Sequence, residues 1–187
     1  MVDPDTSSDG DLISRSLLNG EDFLEVFERH YDPIRRYLQR RAGIEVGEEL
    51  AAETFEVAFS RRSSYDFGYP SARPWLFGIA SNVLRHYVRH EHARRAAYAR
   101  LPQPRIAEPD LQLEDRVLGL SLDESLKDAL SSLRTEDRDV LWLFAVADLS
   151  YEEIGFALSI PVGTVRSRLS RSPRSMWCIC ATVLRSP

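Results

Sequence analysis

Arg166, Arg168 and Arg171 fall within six residues, interleaved with Thr164, Ser167 and Ser170, and no acidic side chain stands among them. Guanidinium groups present a planar fork of donors that fits phosphate and the O6/N7 edge of guanine, and hydroxyls add shorter-range hydrogen bonds. The chemistry on offer is recognition of a polyanion, with DNA the expected partner. Catalysis has no comparable set of groups. The four histidines, His30, His86, His90 and His92, lack the cysteine or carboxylate spacing of a metal or acid–base site. Cys178 and Cys180 are too few for a disulfide framework or a zinc site, and they read as small apolar residues. No enzyme activity, cofactor or metal is expected.

The elements that position the arginines form a helix-turn-helix. Ser150 and Glu153 have capping-box spacing, and Leu149 and Ile154 stand where a hydrophobic staple closes. Leu158-Ser159-Ile160 makes the turn, with Ser159 at a position that can demand positive φ. Pro161 suits a first helical position because its missing N–H costs nothing there. In the second helix Val165 and Leu169 share a face, and Arg166, Ser167, Ser170 and Arg171 fall away from it. A plain helical hairpin with a solvated arginine face would need all these features to coincide.

A second candidate surface lies in the middle of the chain. From Pro74-Trp75 a helix runs through Val88 to about Arg100, with Leu76, Ile79, Ala80, Val83 and Tyr87 along one face. Asn82, Arg85, His86 and Arg89 follow i, i+3, i+4, i+7 spacing along another. The loop before it sets Tyr65, Phe67 and Tyr69 on alternate positions. Aromatic faces beside cations suit unstacked bases, each stacking contact being worth roughly 1 to 3 kcal/mol. Trp75 reads as core.

The net charge of −5 conceals segregation. Residues 1–60 carry −8, 61–100 carry +6, 101–160 carry −8 and 161–187 carry +5. Two basic blocks in an acidic chain make the electrostatic footprint local. Between them Leu101 to Asp110 holds three prolines and is followed by acids, the composition of a linker. About twenty extended residues could cover roughly 65 to 70 Å.

The expected fold is all-α, as two small helical domains joined by a flexible linker: a tail at 1–19 with a short helix over Leu12–Leu18, a domain at 20–100, a linker at 101–121 and a domain at 122–187. Phe23, Val26, Phe27, Ile34 and Leu38 mark one helix, and a second is expected over Glu48–Arg61. Leu122–Leu133 and Arg138–Ala147 supply the core behind the helix-turn-helix. The longest apolar run near the C-terminus, Met176 to Leu184, is far too short to span a bilayer, and the N-terminus is acidic and polar. No membrane insertion is expected, and the cytoplasm is the expected compartment.

Three segments in order carry a resemblance: Glu48 to Phe55, Arg73 to Asn82 and Pro161 to Arg171 resemble conserved regions two and four of bacterial RNA polymerase sigma factors of the extracytoplasmic-function class. The resemblance implies a promoter-specificity subunit that works while bound to core polymerase. It implies that Glu49, Leu50 and Glu53 contact the clamp helices of the largest polymerase subunit. Tyr65, Phe67, Asn82, Arg85, His86 and Arg89 would then capture and melt the minus-ten element, and Thr164, Arg166, Ser167, Ser170 and Arg171 would read the minus-thirty-five element. An anti-sigma partner is commonly implied as well.

The chain departs from the pattern at Glu49 and Ala52, where Asp and Gln are usual, and at Ser159, where Gly is common. Pro173 should end or kink the arginine helix. Met176-Trp177-Cys178-Ile179-Cys180 is unusually apolar and suits core cover or a regulator contact. The alternative is a free-standing helix-turn-helix regulator that binds duplex DNA without polymerase. A third reading is an inactive sigma-like protein that sequesters a partner.

Overall fold

A computed structural model of the chain describes residues 7–98, 130 and 132–171. Among these residues every regular element is helical. The expected linker, most of the Leu122–Leu133 helix, Pro173 and the Met176–Cys180 segment lie outside them.

Helix α1 spans Asp9–Ser16 and is set by a capping box in which Asp11, not a glutamate, reaches back to Ser8. Leu12 and Ile13 are fully buried, so this stretch is an integral layer of the first domain and not the tail expected from its position. Its helix also starts three residues before Leu12, because Ser8 is the cap.

A 3-10 turn over Gly20–Asp22 leads into α2, Phe23–Ala42, which continues through Pro33. Gly43, at φ +81°, is the single residue between α2 and α3 (Ile44–Arg61). Only glycine adopts that conformation without strain. The tight connection starts α3 four residues earlier than the apolar spacing suggested. It also lays the two helices antiparallel and close. A Cβ on Gly47 would overlap the backbone N and Cα of Gln39.

Helix α4, Arg73–Tyr98, is the longest of the described elements, at 26 residues. Leu76, Phe77, Ile79, Ala80, Val83 and Leu84 are all buried along it, more than one face's worth of core. Tyr37 of α2 packs edge-on against Phe77 with centroids 5.2 Å apart, and its hydroxyl lies 3.1 Å from Ser81 Oγ. The second domain comprises α5 (Thr135–Ala145), α6 (Tyr151–Leu158) and α7 (Val162–Arg171). Val140, Leu141, Leu143, Ile154, Val165 and Leu169 form its core. The domains are packed together, with α6 against α4. No helix among the described residues is long and apolar enough to cross a membrane.

Two predictions follow from these contacts. Gly47→Ala should cost roughly 1 to 3 kcal/mol by overpacking α2 against α3, measured as a lowered midpoint in chemical denaturation. The second concerns Asp9, whose burial opposes ionisation while hydrogen bonds from His30, the Ala72 N–H and Arg29 outweigh it and hold the carboxyl at about 2. A depressed carboxyl pKa stabilises the fold above the unfolded value and loses that contribution as pH falls through the folded one. Unfolding free energy should therefore drop by on the order of 1 kcal/mol between pH 4 and pH 2, and Asp9→Asn should flatten that part of the acid limb.

Candidate nucleic-acid interface

The helix-turn-helix has the local chemistry its sequence anticipates. Ser150 Oγ accepts from the Glu153 N–H at 3.2 Å, and Glu153 Oε2 accepts from the Ser150 N–H at 2.7 Å. Leu149 and Ile154 are buried together at the staple. Ser159 adopts the left-handed conformation, at φ 54°, where glycine is usual, and its N–H donates to carbonyls of the last helical turn. Pro161 stands just before the first residue of α7, and its carbonyl accepts from Thr164 and Val165. Val165 and Leu169 face inward; Arg166, Ser167, Ser170 and Arg171 are exposed, and Thr164 is half-buried.

Electrostatics steady this reading face. Buried Asp137 of α5 lies 3.6 Å from Arg171 and 3.9 Å from Arg168. The Arg171 side chain is half-exposed and also donates to Ser167 O from Nε at 3.2 Å. Arg166 is exposed, and the whole of α7 carries no acid.

A cleft of about 730 Å³ opens where α3 and α4 of the first domain meet the start of α5 of the second. Asn82, Arg85, His86 and Arg89 line one wall, with Glu53 and Arg61 opposite. The structure thus gathers four of the sequence-picked residues of α4 into a single basic cleft. Asn82, His86 and Arg89 are exposed, whereas Arg85 is half-buried and donates to Asn82 Oδ1 at 2.7 Å. Glu49 and Glu53 lie exposed on α3.

Two expectations need correction. Leu50 is 3% exposed and belongs to the core of α3, so it supports the flanking glutamates from beneath and presents no contact surface. Tyr65 is also 3% exposed: its ring packs against Phe67 and Trp75, and its hydroxyl donates to Tyr69 O at 2.6 Å. Burial, with the charges of Asp9 and Asp66, pushes its pKa up to about 12. Tyr65, packed beneath Phe67 and Trp75, is the plug of the loop, and Phe67, 49% exposed, is the offered ring. Neither lines the cleft. Tyr69 packs on Phe156 of α6 at 4.0 Å.

Sequence reasoning missed the contact between the domains. Arg41 of α2 places its guanidinium over the rings of Tyr37 and Trp142, and it pairs with Asp139 of α5 at 2.7 Å. Arg85 lies 3.7 Å from the same carboxylate, so a cation of the cleft faces an acid of the other domain. Arg73 donates to Ala147 O at 2.5 Å. Arg41, Asp139, Trp142 and Ala147 stand in no motif, and only the fold brings them to Arg85 and Arg73.

The comparisons with known proteins agree with the geometry. Residues 26–95 match the sigma-70 region 2 family and residues 123–175 the sigma-70 region 4 family. The RNA polymerase sigma factor CarQ of Myxococcus xanthus is 33% identical over 80% of this chain and 83% of its own length. The extracytoplasmic-function (ECF) sigma factor SigE of Mycolicibacterium smegmatis is 31% identical over 81% of this chain, which spans 59% of that relative. Among solved structures, the sigma factor RpoE of Bartonella quintana in complex with the anti-sigma factor NepR has a TM-score of 0.62, with 23% identity over 88% of this chain and 99% of that one.

The chain belongs to the sigma-70 family, in its extracytoplasmic-function class. It is a sigma factor, a non-catalytic subunit of RNA polymerase for transcription initiation.

The packing of the domains depends on Gly78, where a Cβ would come within 2.5 Å of Ala157 O. Gly78→Ala should open the contact between α4 and α6 and strengthen α4 itself, since Ala is favoured over Gly in a helix by about 1 kcal/mol. Small-angle scattering should show an increased radius of gyration with undiminished helical circular dichroism.

Proposed function

We propose that this chain reads two promoter elements at once while core polymerase holds its domains apart. The first domain, residues 20–100 with α1 packed onto it, docks on the polymerase clamp helices through Glu49 and Glu53 of α3, and captures the minus-ten element with Phe67, Asn82, His86, Arg89 and Arg85. The domain of residues 122–187 places α7 in the major groove of the minus-thirty-five element, with Arg166, Ser167, Ser170 and Arg171 toward the bases and Thr164 at the helix start. Residues 101–121 link the two. Its workplace is the cytoplasm, where polymerase and promoters are.

The observation that carries this reading is the pairing of two exposed cationic faces on separate domains, one with an amide and with the exposed Phe67 ring in the loop before its helix, and one on a helix shaped for a groove. The first suits unpaired strand, where bases need stacking and the backbone needs charge. The second suits duplex. In the packed arrangement Asp139 faces Arg41 and Arg85, and Phe156 covers Tyr69, so full use of the first face requires the domains to part. An anti-sigma factor is a fitting partner for such a two-domain chain; solved structures with this fold include RpoE with NepR and CnrH with the cytosolic domain of CnrY.

Run-off transcription with core polymerase over a randomised promoter library tests the assignment. The chain should select two separated elements. Arg166→Ala or Arg171→Ala should cost about 1 to 3 kcal/mol at a particular upstream base pair where the arginine reads one; an equal loss on every upstream sequence would mark a phosphate contact. Asn82→Ala should reduce opening of the minus-ten element and leave polymerase binding intact.

A further inference from the structure

Asp9 lies outside residues 26–95, the segment matched to region 2, yet it makes more directed contacts with the loop before α4 than any other charged group named above. Its side chain is 8% exposed. Oδ2 accepts from the Ala72 N–H at 2.8 Å and from Ser71 Oγ at 3.3 Å, and lies 2.7 Å from His30 Nε2; Oδ1 accepts from Arg29 at 3.3 Å.

Ala72 stands immediately before α4, and its carbonyl accepts the Leu76 N–H at 2.9 Å. Its own N–H is one of the donors a helix start leaves without an intrahelical acceptor. Asp9 satisfies it from 63 residues away, and a carboxylate at that end also faces the positive pole of the helix dipole. The rest of the loop rests on α1. An added Cβ on Gly10 would meet the Tyr65 ring at 3.8 Å and Tyr69 O at 3.9 Å, and the Tyr65 hydroxyl ties the loop back on itself at Tyr69.

We propose that Asp9 is a positioning residue for the loop of residues 65–72: by bonding Ser71 and Ala72 while His30 and Arg29 of α2 grip it, the carboxylate fixes the path along which Phe67 is offered to an unpaired base. The proposal rests on the assignment of this loop to the minus-ten element. The role is separable from folding of the domain, because Leu12 and Ile13 dock α1 through fully buried apolar contacts that do not involve the carboxylate. Removing the carboxylate frees one end of the loop and leaves α1 in place. Asparagine keeps an oxygen for the Ala72 N–H and loses the charge that Arg29 and His30 meet, so it should restore part of the function.

The test uses Asp9→Ala and Asp9→Asn in the full chain. In the free protein, hydrogen exchange of residues 65–76 should quicken about ten-fold or more in Asp9→Ala, less in Asp9→Asn, with the cores of α2 and α3 unchanged. With core polymerase, on a promoter selected by the wild-type chain, the preference for the intact over a scrambled minus-ten element should fall several-fold in the same order, at unaltered polymerase affinity. Unchanged exchange in the loop would overturn the anchor. Faster exchange with the preference intact would overturn the minus-ten assignment of the loop and with it this role. Equal loss of polymerase binding and of exchange protection in both variants would make Asp9 a general structural residue and also overturn the proposal.

Discussion

A single helix has to serve three masters: α4 packs on α2 and α3 to complete the first domain, meets α6 of the second, and still keeps a polar face open to the cleft. The interior contacts take Leu76, Phe77, Ala80, Val83 and Leu84, and Gly78 lets another backbone come close. What remains open to the cleft is the narrow stripe of Asn82, His86 and Arg89, with Arg85 at its edge. The placement of that stripe follows from packing. The cleft is where it is because the apolar positions of α4 have already been claimed.

Charge segregation imposes the second condition. The two arginine-rich surfaces repel one another, and acids from α5 lie between them: Asp139 toward Arg41 and Arg85, Asp137 toward Arg168 and Arg171. Buried ion pairs gain little net stability, because desolvation offsets much of the attraction. Asp139 with Arg41 is such a pair, at 3% and 8% side-chain exposure. A contact of this kind favours one geometry of approach without holding it strongly. The proposed separation of the domains on polymerase calls for a contact of that kind, one that can be exchanged.

Much of this was legible in the sequence, and the reasons are physical. Capping chemistry is local, so Ser150 and Glu153, and the strained turn at Ser159, could be read directly. The recognition helix has a clean division between Val165 and Leu169 and its polar side, because α7 buries only one face. Helix α4 was harder, since burial on several sides erases the periodicity on which such readings depend. Tyr65 and Leu50 were misplaced because residue type indicates chemistry and not depth. The role of α1 was hidden for a different reason: Asp9 acts on Ala72, and no spacing rule spans that distance. The same holds for Arg41 with Asp139.

The central claim is that two cationic faces gain meaning only when a polymerase sets them in register along one duplex. Footprinting of an end-labelled promoter by the purified chain, by core polymerase, and by the two together measures this directly. The account predicts protection of both elements by the mixture alone, with unpaired thymines at the downstream one. Protection of a palindromic site by the chain without polymerase, unaltered when polymerase is added, would contradict it.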